Sequence, residues 1–293
     1  MNVALTVLEI VAPVFLLAGV GFAWVRLGYD YDVAFVTRLA MTLSVPCLIF
    51  VALMRLDVPA AAVTALSGAA LVAYGALALA FWIVLRIARL DLRTYLAPLI
   101  FGNTGNLGLP LALFAFGETG LGYAVVVFAI MAILSFTFGL WLVAGGGSPL
   151  RALREPMVGA TFAGGVFMWN GWQTPTWLTN TLDLAGQMAI PLMLITLGVA
   201  VARLHPSGLA RALVLSVMKV VVAASLGWAI ATAFALDDVA AAVLTLQVAT
   251  PVAVTSYLLA QKYADEAEAV AGLVVASTLV SVAALPVLLG LLV

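Results

Sequence analysis

The chain has 293 residues, of which 66% are apolar and 9% charged, with a mean hydropathy of +1.23. A soluble globular domain is nearer half apolar and one quarter charged, which excludes a soluble enzyme. The net charge of −1 offers no basic field for nucleic acid. One Cys and one His cannot build a disulfide framework, a His/Cys zinc site or a haem motif. Cys47 therefore reads as a small core hydrophobe, and neither a metal nor a cofactor is expected.

The class left is an all-α polytopic membrane protein. A hydrocarbon core of ~30 Å takes ~20 apolar residues per helix, so at ~27 residues per span and joint the chain holds about ten spans. The first run starts at Val3 with no Lys or Arg before it and no small-residue cleavage site after it, so it reads as a retained span rather than a signal peptide. The apolar runs follow at 3–25, 34–54, 61–85, 94–116, 121–143, 156–170, 181–202, 209–235, 239–260 and 269–292. Joints of Gly, Pro and charged residues separate them, and none could hold a soluble domain.

Arg26 and Arg38 lie around the first joint, Arg86, Arg89 and Arg93 at the third, Arg151 and Arg154 at the fifth, Arg203 and Arg211 at the seventh and Lys262 at the ninth. The even joints carry only Arg55, and Lys219 lies inside span 8. By the positive-inside rule the odd joints are cytoplasmic and both termini face outward, in a plasma (inner) membrane protein.

The halves resemble each other. Pro46, Pro59, Asp91 and Pro110 in the first have counterparts in Pro191, Pro206, Asp237 and Pro251 in the second. Five spans per half is an odd number, so the second copy enters from the opposite side. This predicts two inverted repeats, 1–145 and 155–293, the plan of many secondary transporters.

Span 4 contains Phe101-Gly-Asn-Thr-Gly-Asn-Leu-Gly-Leu-Pro110. Gly and Pro cost ~1 and ~3 kcal/mol in a helix interior, so this stretch is expected to break the helix. Broken backbone at membrane depth is tolerated only inside protein or beside a wet cavity. Gln247-Val-Ala-Thr-Pro251 interrupts span 9 at the corresponding place. Two discontinuous helices in matching positions predict a midplane binding site, where half-helix N-termini favour an anion. Asn103, Thr104, Gly105, Asn106 and Pro110 with Gln247, Thr250 and Pro251 are the candidate substrate-binding residues. Their side chains supply donors and acceptors, or else cap the broken backbone.

Lys219 is ~15 Å along its helix from Leu209, too deep to snorkel easily. It is a candidate to neutralise a substrate carboxylate, to pair with an acid or to carry a coupling proton; the alternative is a structural lysine bonded to crossover carbonyls. Glu9, Asp183 and Glu118 lie shallow, as coupling-proton candidates or ordinary hydrated carboxylates. Trp169, Trp172 and Trp177 read as an outer interfacial belt, and His205 as a loop histidine. An intramembrane hydrolase would need an activated nucleophile, yet the lone His205 is in a joint and no Gly-x-Ser-x-Gly elbow occurs. An anion channel is the alternative of another class.

The sequence resembles the auxin efflux carrier family of membrane transporters. Pro13 with Gly19 and Gly21, Val45-Pro46 with Ile49-Phe50, and Gly102-Asn103-Thr104-Gly105 through Leu109-Pro110 carry the resemblance in the first half. Pro251 through Ser256-Tyr257-Leu258-Leu259-Ala260, Lys262-Tyr263, Ser277-Thr278-Leu279 and Leu285-Pro286 carry it in the second. The resemblance implies ten transmembrane helices in two inverted five-helix repeats, with crossover helices 4 and 9 broken in a bile-acid-symporter- or NhaA-like arrangement. It also implies transport of small organic anions, auxins or dicarboxylates such as malate. Related crossover folds imply an elevator motion, with spans 1, 2, 6 and 7 as scaffold and spans 3–5 and 8–10 as the transport unit. A sodium-coupled bile-acid-like symporter is the nearest alternative, and the coupling ion, H+ or Na+, stays open. The partners expected are the anion and the bilayer, with a homodimer left open. The long central cytoplasmic loop of the plant carriers is reduced to Gly145–Glu155, so regulation through it is not expected.

Overall fold

The computed structural model describes residues 3–144, 156–204, 208–263 and 266–292. Among these residues the fold is all-helical, and the one β-type pairing is an isolated antiparallel bridge between Gly102 and Val252. The order begins with α1 (Val3–Arg26), then α2 (Val33–Leu39), α3 (Val45–Met54), α4 (Ala60–Ile87), α5 (Leu92–Ile100), α6 (Leu109–Leu134) and α7 (Leu140–Ala144). It continues with α8 (Pro156–Asn170), α9 (Thr176–Gln187), α10 (Ala189–Arg203), α11 (Leu209–Ala233), α12 (Asp238–Ala249), α13 (Val254–Tyr263) and α14 (Ala267–Leu292). Among the described residues seven helical stretches are long and apolar enough to cross a membrane, making this a multi-pass membrane-embedded protein. His205, Pro206 and the shortened central loop lie outside the described residues.

Local chemistry explains the interruptions. Residues Ala40–Ser44 between α2 and α3 form a widened π turn in which the Val45 N–H reaches back to the Ala40 carbonyl. Pro46 has no N–H to donate and sits in the first turn of α3, where none is needed. The expected span 7 starts earlier than its apolar run, because Pro175 sets the start of a helix at Thr176. That helix breaks between Gln187 and Ala189, shortly before Pro191. Within α6, Gly117 has φ +64 and ψ −155, a backbone that an L side chain rarely adopts, and the chain kinks there.

Both half-helices leading to the crossovers are capped alike. Asp91 accepts from the Thr94 N–H at 2.7 Å and Asp237 from the Ala240 N–H at 2.9 Å. Partial burial pushes the Asp91 carboxyl up, but the hydrogen bonds of Thr94 and Arg93 and the Arg93 charge outweigh it and hold the group below its ordinary value. The span 4 helix accordingly begins at Leu92, two residues before the apolar run suggested.

Helices in lipid associate by close packing of small residues rather than by the hydrophobic effect. α1 runs along α10, where a Cβ on Gly21 would overlap the Ile195 carbonyl and one on Gly198 the Ala18 carbonyl. α3 packs on α8, with Gly164 facing the Phe50 carbonyl, and on α9, with Gly186 facing the Leu48 backbone. The other packed group joins α4, α5 and α6 to α11, α12 and α14. An apolar cluster of Val11 and Val14 on α1, Leu194 on α10, Leu107 and Leu111 at the first crossover, and Leu246 on α12 ties the groups together.

Candidate crossover binding site

The two breaks meet. At the end of α5, Phe101 turns extended, Gly102 pairs with Val252, and the Asn103 N–H donates to the Pro251 carbonyl at 2.6 Å. Gly102 is required at this approach, because a Cβ would overlap the Thr250 hydroxyl. The break is shorter than Phe101–Pro110. From Thr104 to Gly108 the chain winds a π turn, its first carbonyl, Asn103, accepting from the Leu107 and Gly108 N–H groups at 3.1 Å each. Pro110 then falls in the first turn of α6, which its fixed φ suits.

On the other strand the break begins at Thr250 rather than at Gln247, which remains helical in the last turn of α12. The Thr250 hydroxyl donates to the Gln247 carbonyl at 2.7 Å and so closes the helix end. The Val252 N–H donates to Ser277 Oγ at 2.9 Å, and Ser277 Oγ donates onward to the Val274 carbonyl at 3.2 Å. A Cβ on Gly108 would overlap Gln247 Oε1, so the two arms are stacked on each other.

A cavity of about 240 Å³ opens beside this crossing. Asn103, Gly105 and Asn106 of the first arm and Thr255 and Ser256 of the first turn of α13 form its polar wall, with Thr37 and Ser135. Phe101, Phe128, Met41, Met131 and Met157 form the apolar wall. Among the described residues no charged side chain lines it. Asn103 is buried; its Oδ1 accepts from the Asn106 N–H at 3.3 Å, whereas Nδ2 has no partner. A buried amide N–H₂ left unpaired is costly unless something in the cavity accepts from it. The starts of the π turn and of α13 both lie at this cavity, so the positive ends of two helix dipoles point to it.

Of the residues expected to bind substrate, Asn103, Gly105 and Asn106 reach the cavity. Thr104, Gln247, Thr250, Pro251 and Pro110 are buried outside its lining, with Thr104 Oγ1 and both side-chain polar atoms of Gln247 unpaired. Lys219 is buried on α11, and its Nζ lies 3.5 Å from the Val248 carbonyl of α12, away from the cavity lining. The coupling candidates are elsewhere. Glu9 is exposed on α1, while Asp183 pairs with Arg55 at 3.3 Å. Asp183 lines, with Glu118, a separate cavity of about 480 Å³.

Sequence reasoning did not reach Thr37, Met41, Phe128, Met131, Ser135 or Met157. They come from spans 2, 5 and 6, and only the packing of α8 and α6 around α3 gathers them. Thr255 and Ser256 were within reach, since the residues after a helix-breaking Pro form the first turn of the next half-helix.

The membrane transport protein family matches this chain over residues 6–152 and again over 147–289. The chain belongs to this family, that of the auxin efflux carriers. One match contains the first crossover arm and the other contains the second, so both arms of the site belong to the shared pattern. Among curated proteins none matches. As an auxin efflux carrier family member, the protein is a membrane transporter, and its family is not an enzymatic one.

Proposed function

We propose that this transporter is a secondary active carrier of small organic anions, binding a carboxylate in the crossover cavity and exposing it alternately to the two sides of the membrane. The observation that carries the reading is the buried, unpaired Nδ2 donor of Asn103, a residue that lines a cavity beside the starts of the π turn and of α13. Neutral donors and helix dipoles suit a substrate that must also be released, because they do not hold an anion as a fixed cation would.

Ten crossings in two inverted repeats accompany this reading. The apolar stretch Thr104–Val143 is 40 residues, about two crossings long, and Gly117 divides it. Exchanging spans 1 to 5 with spans 6 to 10 maps the α1–α10 contact onto that of α8 with α3, and the α4–α5 contact onto that of α11 with α12. The same contacts favour an elevator, with α1, α3, α8, α9 and α10 as scaffold and the helices around the crossover as the moving unit. Arginine-bearing joints on one face support outward termini.

The test is uptake into proteoliposomes with an imposed H+ or Na+ gradient and a panel of carboxylates that includes malate and an indole acid. Gradient-driven, saturable uptake of at least one carboxylate is expected, and the effective gradient names the coupling ion. Flux that never saturates would favour a channel, and sodium-driven uptake of bile acids a symporter of that type. Cysteine labels at Ser148 and Val293 should report opposite sides of the membrane.

A further inference from the structure

The turns from α4 to α5 and from α11 to α12 share one backbone shape. In the first, the Leu90 N–H donates to the Leu85 carbonyl at 2.9 Å and that of Arg89 to Arg86 at 3.3 Å. In the second, Leu236 donates to Ala231 at 3.1 Å and Ala235 to Thr232 at 3.0 Å. Each turn has a left-handed residue where glycine is usual, Arg89 at φ 54 and Ala235 at φ 48. They differ in charge. The first turn presents Arg86 and Arg89, and the second presents Thr232 and Ala235 at the same positions.

The arginine turn borders an open surface hollow of about 410 Å³ lined by Leu85, Arg86, Arg89, Leu90, Asp91 and Leu92. Asp91 Oδ2 is engaged by the Thr94 N–H and hydroxyl at 2.7 Å each, which directs that carboxylate toward α5. Arg93 donates to the Val143 carbonyl at 3.3 Å and does not line the cavity. Arg86 carries its guanidinium 5.6 Å over the Trp82 ring, so it is seated at the end of an exposed apolar strip of Leu79, Trp82, Ile83 and Ile87 on one face of α4. With 28 residues, α4 is ~42 Å long, so its last turns leave the ~30 Å hydrocarbon layer at headgroup level.

We propose that this turn binds the phosphate of an anionic glycerophospholipid, with Arg86 and Arg89 on the phosphodiester and the acyl chains along the Leu79–Ile87 strip. A forked guanidinium matches phosphate oxygens, and two of them set in a concave turn discriminate an anionic headgroup from a zwitterionic one. The left-handed Arg89 fits this role. Glycine would relax the backbone there, and arginine holds the position with a charge. The inference requires only that α4 lies in a bilayer, not the direction of the chain across it or any substrate.

Native mass spectrometry of the purified protein titrated with phosphatidylglycerol or phosphatidylcholine tests it, alongside melting temperatures in lipid-free detergent with and without inorganic phosphate. Wild type should hold phosphatidylglycerol in preference to phosphatidylcholine, and Arg86→Gln/Arg89→Gln should weaken that binding tenfold or more. Arg89→Gly should melt no lower than wild type yet lose several-fold in phosphatidylglycerol affinity, which decides the matter even if the double variant fails to fold. Arg26→Gln/Arg38→Gln, which removes the same charge elsewhere, should leave it unchanged. Equal binding of the two lipids by wild type would overturn the proposal, as would an equal loss in the Arg26/Arg38 variant. Protection by inorganic phosphate as strong as by the lipid would mark a soluble-anion site instead and overturn it too.

Discussion

The two arms of the crossover begin alike and end differently. Each follows an aspartate-capped half-helix and each turns extended for a few residues before helix resumes. The second arm is then closed by its neighbours, with the Thr250 hydroxyl on the Gln247 carbonyl and Ser277 on the Val252 N–H. The first arm winds a π turn and leaves Asn103 Nδ2 unpaired at a cavity. It rests on the second through the Asn103–Pro251 hydrogen bond and the Gly108–Gln247 contact. The two sequence patterns thus share a backbone device while their surroundings differ. In the proposed carrier the first arm supplies the receptor Asn103 and the second buttresses it, with Thr255 and Ser256 beyond its break completing the polar wall.

Gly108→Ala should break that division most severely. Its Cβ would overlap Oε1 at the end of the buried Gln247 side chain, which must turn aside within the stack, and overpacking of this kind costs up to about 3 kcal/mol. Thermal melting should show a large loss for Gly108→Ala, substantially recovered in Gly108→Ala/Gln247→Ala; no recovery would mean that the arms are not stacked through this pair. Asn103→Asp keeps an acceptor for the Asn106 N–H but replaces the unpaired Nδ2 donor of this cavity-lining residue with an acceptor and adds a negative charge. Carboxylate affinity should fall by about 2 kcal/mol, some thirty-fold, with melting little changed. An unaltered dissociation constant would remove Asn103 from the binding role.

Ser277→Ala tests the buttress. It orphans the buried Val252 N–H and should cost about 1–2 kcal/mol of stability, while affinity per folded molecule stays near wild type. A loss of affinity larger than the loss of stability would show that the second arm also touches the ligand. The smallest effect expected is that of Lys219→Met. Its ammonium lies behind the second arm on the Val248 carbonyl at 3.5 Å, and Met fills a similar volume without a buried charge. Carboxylate affinity measured by calorimetry should stay within about twofold. A tenfold loss would restore a charge-neutralising role to the lysine.

The membrane class, the broken spans and the family were legible because they rest on local signals: long apolar runs, Gly and Pro inside them, and motif residues adjacent in the chain. Asn103, Gly105 and Asn106 could be picked out as cavity residues for the same reason. The extent of each break was not legible, since it depends on which neighbour satisfies the freed backbone. Gln247 stays helical because Thr250 caps it, and a π turn absorbs Thr104–Gly108 where the composition suggested irregular chain. The methionines and phenylalanines of the cavity were hidden for another reason. On a helix apolar on every side, periodicity cannot separate a lipid-facing Met from one facing a cavity.

The walls of the crossover cavity have mixed ownership. Met41 lies between α2 and α3 and Met157 on α8, whereas Asn103, Phe101 and Phe128 belong to the helices around the crossing. In the proposed elevator a ligand lodged there would bridge scaffold and moving unit rather than be the cargo of one. Should the crossover helices slide past α3 and α8, the anion would keep its polar grip and exchange the thioether surface for another. Its free energy would then differ at the two ends of the stroke, which sets how tightly it is held on each side, while the gradients across the membrane set the net direction. Methionine, unbranched and polarizable, is the side chain best suited to letting go of such a ligand gradually.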